Sequence, residues 1–118
     1  MKKLSAESLF SALANPIRLR CIMLLQQEGE LCVCELTQAL RVAQPAVSRH
    51  LALLRGAGIV QDRRAGLWIH YRLHPGLPEW ARSNIRTTAT EWSPQTPFAA
   101  DRGRLCRMRQ RPGDRRCA

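Results

Sequence analysis

Residues 31 to 36 read Leu31-Cys32-Val33-Cys34-Glu35-Leu36, which sets two thiols one residue apart. Sulfur is a soft donor, so a thiolate pair at this spacing suits a soft, thiol-seeking ion, or oxidation to a bridge or a persulfide. About ten residues further on, Gln44-Pro45-Ala46-Val47-Ser48-Arg49-His50-Leu51 opens a helix-forming stretch with small, polar and cationic side chains at its front. Such side chains suit base edges and phosphates in a DNA major groove. The two patterns together point to a sensor joined to a DNA-binding element.

Three further cysteines, Cys21, Cys106 and Cys117, bring the count to five. An odd number in a reducing compartment fits free thiols, ion ligands or redox centres better than a disulfide framework. Cys21 shares an apolar helical face with Ile17, Leu24 and Leu25, so it reads as a small core hydrophobe.

The elements that must position these groups follow from periodicity and caps. Ser5 to Ala14 carries Leu9, Phe10 and Leu13 at helical spacing, and Asn15-Pro16 then supplies an N-cap and a first-turn proline. The second helix runs from Pro16 to Glu28 and stops at Gly29. A third is expected over Cys32 to Leu40, then the turn Arg41-Val42-Ala43, then a fourth helix from Gln44 to Arg55 closed by Gly56-Ala57-Gly58. Two short helices about a tight turn make a helix-turn-helix. Two strand-like runs follow, Ile59 to Arg63 and Leu67 to Leu73, with Ala65-Gly66 at the turn, and the second alternates Leu67, Ile69, Tyr71, Leu73 against Trp68, His70, Arg72. The fold class is therefore mainly α with a small β-hairpin, a winged helix-turn-helix. Glu79 to Trp92 reads as a last helix. The domain is expected to span residues 1–92, and Ser93 to Ala118, rich in Pro, Arg and Gly, is expected to be a mostly unstructured tail.

One domain is what 118 residues with 45% hydrophobic content support. The net charge of +10 favours a polyanionic partner, and about half of it falls in the last eighteen residues, where seven arginines face two aspartates. No run approaches the roughly 18 apolar residues that span a bilayer, and Met1-Lys2-Lys3 leads into an amphipathic stretch, so a cytoplasmic location is expected.

On the fourth helix Val47, Leu51 and Leu54 form an apolar stripe flanked by Ala46, His50 and Leu53, all expected to face the core, with His50 packed and hydrogen-bonded. Ser48, Arg49, Ala52 and Arg55 lie opposite, with Gln44 at the start. Gln44, Ser48, Arg49 and Arg55 are the candidate DNA contacts, joined by Arg63 and Arg64 near the hairpin tip. One module buries too little surface for tight binding, so a homodimer on two-fold operator DNA is expected, with Leu9, Leu13, Trp80 and Ile85 either at the interface or closing the core of the single chain.

In a regular helix residues i and i+2 point about 200° apart, whereas two thiolates on one ion lie only about 3.5–4 Å apart. If Cys32 and Cys34 begin the third helix, capture of an ion by both is expected to unwind its first turn and disturb the recognition helix behind it.

Over about residues 5 to 85 the chain resembles the arsenic-sensing repressors of the ArsR/SmtB family. The likeness rests on Asn15-Pro16-Ile17-Arg18, Glu30 to Leu36, Gln44 to Leu51 and Gly66-Leu67-Trp68-Ile69-His70-Tyr71-Arg72-Leu73. It implies a dimeric repressor of an arsenic-resistance operon that leaves DNA when As(III) or Sb(III) binds, with Cys32 and Cys34 as inducer ligands. The related motif often carries a third cysteine where this chain has Thr37, so Cys32 and Cys34 either take the third sulfur that trivalent arsenic prefers from a small thiol, Cys106 or Cys117, or serve as a two-thiolate site.

Rival readings fit less well. Zinc sensors of this family use histidine along the last helix, and Glu79 to Trp92 has none; cadmium and lead sensors add N-terminal cysteines, and none precedes Cys21. A thiol-redox repressor and a constitutive DNA-binding protein remain as alternatives. An arsenate reductase with a phosphatase-like loop needs arginine six residues after its cysteine, and Gln27, Gln38, Leu40 and Pro112 stand there. With no glycine-rich phosphate cradle and no paired acid and base, the chain is not expected to be an enzyme.

Overall fold

The computed structural model describes residues 4–108. Helix α1 spans Ala6–Leu13, α2 Pro16–Glu28, strand β1 Glu30–Cys32, α3 Val33–Leu40, α4 Gln44–Gly56, β2 Val60–Ala65, β3 Trp68–Leu73, α5 Glu79–Trp92 and α6 Phe98–Cys106. The cap expected at the second helix is in place, and the first helix is capped as well. Ser5 accepts from the Ser8 N–H at 3.1 Å, and the Asn15 carboxamide accepts from the N–H groups of Ile17 and Arg18 at 3.0 and 3.1 Å.

The three strands form an antiparallel sheet in the order β1-β3-β2. The hairpin of β2 and β3 closes through Gly66 and Leu67, where Gly66 takes φ +61, a left-handed value that a side chain resists. Strand β1 adds to the far edge of β3, pairing Glu30 with Arg72, Leu31 with Tyr71 and Cys32 with His70. Three residues are too few for alternation to show, so the sequence predicts only the hairpin. Pairing with β3 supplies the hydrogen bonds that settle the conformation.

The core gathers Leu9, Cys21, Ile22, Leu24 and Leu25 with Leu31, Leu36 and Leu40, and with Val47, Leu51 and Leu54 of α4. The α4 stripe is thus fully inward, whereas Leu53, expected beside it, is 54% exposed. It lies on the flank away from Val47 and Leu51, and no element among the described residues buries it.

The C-terminal expectation needs the larger correction. Residues 98–106, placed within an unstructured tail, form α6, which packs on α2 and α3 with Phe98, Asp101 and Leu105 buried. Their i, i+3, i+7 spacing is helical, but the middle residue is a carboxylate, so the stripe does not read as apolar. Residues 109–118, and Cys117 with them, lie outside the described residues. Among the described residues no single helix is long and apolar enough to cross a membrane.

Candidate functional site

Cys32 is the last residue of β1 and the N-cap of α3, with extended backbone (φ −81, ψ 162), and Cys34 is the second residue of the helix. The 200° separation holds only when both residues are helical. Because Cys32 stands outside the helix, the two sulfurs meet in a disulfide, with Cα atoms 5.4 Å apart, while α3 keeps its first turn. The expected conflict between converging sulfurs and an intact α3 therefore does not arise.

Glu35 completes the start of the helix. Its Oε1 accepts from the Cys32 N–H at 2.9 Å, and the side chain is fully buried. Cys32 is fully buried as well, while Cys34 is half-buried and forms the open side of the pair. Opposite Cys32 on β3, buried His70 holds its Nδ1 3.9 Å from Glu30 Oε1, too far for a hydrogen bond. Thr37, on α3, has its hydroxyl enclosed with no hydrogen-bond partner among the described residues. Among those residues no three His, Cys, Asp or Glu side chains gather to hold a metal ion. Cys106 sits exposed at the end of α6. Cys21 is buried in the core, and burial pushes its thiol up to about 12.

On α4, Gln44, Arg49, Ala52 and Arg55 are exposed and Ser48 is half-buried. Arg55 pairs with Asp62 of β2 at 3.0 Å, tying the end of α4 to the wing. Arg63 is held by Glu30 through bonds of 2.6 to 3.1 Å, so its guanidinium braces β2 against β1 before any other partner is considered. The hydrogen bond and charge of Glu30 raise its already high pKa. Arg64 and Arg49 are exposed, and neither has an acidic partner among the described residues. His50 is buried, with its Nδ1 3.3 Å from Arg18 Nη1.

The four residues expected at a dimer interface divide. Leu9 and Ile85 are enclosed by their own chain, 0% and 1% exposed, and so present nothing to a partner. Leu13 is half-buried against the core, and Trp80 is exposed, as are Phe10 and Trp92. Position on a first or last helix does not tell which side of it faces inward.

Sequence reading missed Glu35, Arg18, Arg20, Asp101 and Arg104 as structural organisers. For Glu35 the signal was present: a Glu three residues after a helix N-cap is half of a capping box, with cysteine in place of serine.

The pattern of bacterial regulatory proteins of the arsR family matches residues 15–62. The arsenic resistance transcriptional regulator ArsR1 of Pseudomonas putida is 47% identical over 106 residues, covering 87% of this chain and 79% of that protein. The chain belongs to the ArsR family. Within that family, the arsenical resistance operon repressor of Escherichia coli is 55% identical over 77 residues, 65% of this chain and 66% of that repressor. Reduced HlyU from Vibrio cholerae superposes with a TM-score of 0.66 at 32% identity, over 74% of this chain and 87% of that one. ArsR-family proteins are transcriptional regulators, and this chain is a regulator rather than an enzyme.

Proposed function

We propose that the chain represses an arsenic-resistance operon, binding double-stranded operator DNA as a homodimer in the cytoplasm and leaving it when As(III) or Sb(III) is held by Cys32 and Cys34. The observation that carries this reading is the convergence of the two sulfurs at the start of α3, whose other end is separated from α4 by only Arg41-Val42-Ala43. The names of the Pseudomonas and Escherichia relatives support it.

The route from ligand to DNA differs from helix unwinding. Two small-molecule thiols first reduce the Cys32–Cys34 disulfide to the dithiol and leave as their own disulfide; an ion then holds the two thiolates about 3.5–4 Å apart, meeting half-buried Cys34 before fully buried Cys32. Capture by both then requires the β1–α3 junction to shift, and α3 carries that shift to α4. Ligand and operator thereby favour different positions of one helix, which is a coupling free energy. The third sulfur comes from a small thiol, since Thr37 offers only a hydroxyl. On the DNA side Gln44, Ser48 and Arg49 meet base edges and phosphates, and Arg55, Arg63 and Arg64 flank them.

The test is a gel-shift titration on a duplex selected by the unaltered protein from a random library, with arsenite, antimonite, zinc and cadmium. Release by arsenite or antimonite, lost in Cys32→Ser and Cys34→Ser, is expected. Release that survives both substitutions rules the site out.

A second reading is favoured by the Cys32–Cys34 disulfide itself. Two thiols give up two electrons and two protons to hydrogen peroxide, yielding the disulfide and two waters, and oxidation becomes the signal. Release of the duplex by peroxide without arsenite selects this reading.

A further inference from the structure

Asp101 is fully buried, and two guanidinium groups converge on it. Arg20 of α2 donates through Nε to Oδ2 at 2.9 Å and through Nη2 to Oδ1 at 2.7 Å, and Arg104 of α6 donates through Nη2 to Oδ1 at 2.7 Å. Both arginines continue to the end of α3. Arg20 Nη2 donates to the Leu40 carbonyl at 2.7 Å, and Arg104 Nε donates to the Ala39 carbonyl at 2.6 Å. One carboxylate thus holds two cations against the last two carbonyls of the helix.

Those carbonyls have no donor within the helix and carry the negative end of its dipole. Helices commonly satisfy them with N–H groups of the chain folding back, but no main-chain donor from Arg41–Ala43 serves these two among the described residues. The next residue, Arg41, takes φ 55, ψ 43, a left-handed conformation in a residue with a side chain. Such a conformation persists when its surroundings determine it. The turn to α4 starts from this residue.

We propose that Asp101, acting through Arg20 and Arg104, is a positioning residue for DNA recognition, locking the end of α3 so that α4 leaves the turn at the angle it needs in the groove. The proposal rests on α4 being the DNA-contacting helix. Stability alone does not account for the design, because buried ion pairs are commonly matched or bettered by apolar side chains of similar volume, whereas only donors can take the Ala39 and Leu40 carbonyls. It also accounts for α6, which brings Asp101 and Arg104 to the helix-turn-helix from some sixty positions away in the chain.

Two variants test it. Arg104→Met keeps the Arg20–Asp101 pair and most of the packing; the triple variant Arg20→Met, Asp101→Leu, Arg104→Met replaces the whole cluster with apolar side chains. Affinity is measured by fluorescence anisotropy for a duplex selected on the unaltered protein and for an unrelated duplex of equal length, well below each variant's melting temperature. Loss of the charge-assisted bonds to α3 is expected to lower affinity for the selected duplex by about tenfold in the triple variant and about threefold in Arg104→Met. Affinity for the unrelated duplex is expected to stay within about twofold, since phosphate attraction is retained. A merely structural role leaves the ratio of the two affinities unchanged while the protein is folded, and that result overturns the proposal. If the triple variant does not fold, Arg104→Met alone decides. An unaltered protein that selects no duplex removes the reading of α4, and the proposal with it.

Discussion

Arg18 reaches His50: its Nη1 lies 3.3 Å from the ring Nδ1, while Nε and Nη2 of the same guanidinium hold the carbonyls of Ala12 and Ser11 at 3.1 and 3.3 Å. One side chain on α2 therefore joins the end of α1 to α4. The contact requires Nδ1 as acceptor, which puts the ring proton on Nε2.

Burial, and then the charges of Arg18 and Arg49, lower the His50 pKa from its ordinary value of 6.5. The unfolded chain therefore binds a proton more readily than the folded one. The stabilisation is complete above about pH 6.5 and is lost as pH falls through the folded value. Urea midpoints measured from pH 8 to pH 5 are expected to fall on the acid side, and less so in His50→Gln. Equal acid slopes in the two proteins contradict this.

The cysteines differ in reactivity by position. With its pKa pushed up to about 12, Cys21 is ionised in only about one molecule in ten thousand at pH 8. After reduction, iodoacetamide at pH 8 is expected to modify exposed Cys106 and half-buried Cys34 before buried Cys32 and to spare Cys21, as read by peptide mass spectrometry. Early alkylation of Cys21 shows that the α2 core is open.

Removing the side chain of Leu105, which is fully buried, is expected to cost about 2–5 kcal/mol. Deleting residues 93–118 is expected to lower the urea midpoint too, because α6 covers α2 and α3. Unchanged midpoints in both proteins place α6 outside the folded unit.

Arg49 and Arg64 are exposed and without acidic partners among the described residues. Each substitution by alanine is expected to reduce the slope of log affinity against log salt by about one if the residue meets a phosphate. Arg63→Ala also unpairs Glu30, so its effect includes a change in the wing. A salt slope unmoved in both Arg49→Ala and Arg64→Ala takes these two residues off the DNA.

Cys106→Ser, Cys117→Ser is expected to keep the arsenite affinity of the unaltered protein, measured by isothermal titration at fixed glutathione. A loss of tenfold or more, about 1.4 kcal/mol, identifies a sulfur of Cys106 or Cys117 as the third ligand.

The helix-turn-helix was legible because its signals are local. Asn15-Pro16 and Gln44-Pro45 mark helix starts, Gly29 and Gly66 mark stops and turns, and the Val47, Leu51, Leu54 stripe repeats at the helical period. Leu53 was placed wrongly, and Leu9 and Ile85 were left between interface and core, because periodicity shows which residues share a face without showing what covers it.

From the sequence alone come the order of helices α1 to α5 with the β2–β3 hairpin between α4 and α5, the thiol pair and the cationic front of α4, since caps, turns and residue types act within a few positions. Only the tertiary structure decided that Cys32 stands outside its helix beside Cys34, that Arg63 belongs to Glu30, and that a buried carboxylate on α6 secures the end of α3. These arrangements depend on partners brought together across the chain, where a hydrogen bond or an ion pair leaves no periodic trace in the order of residues.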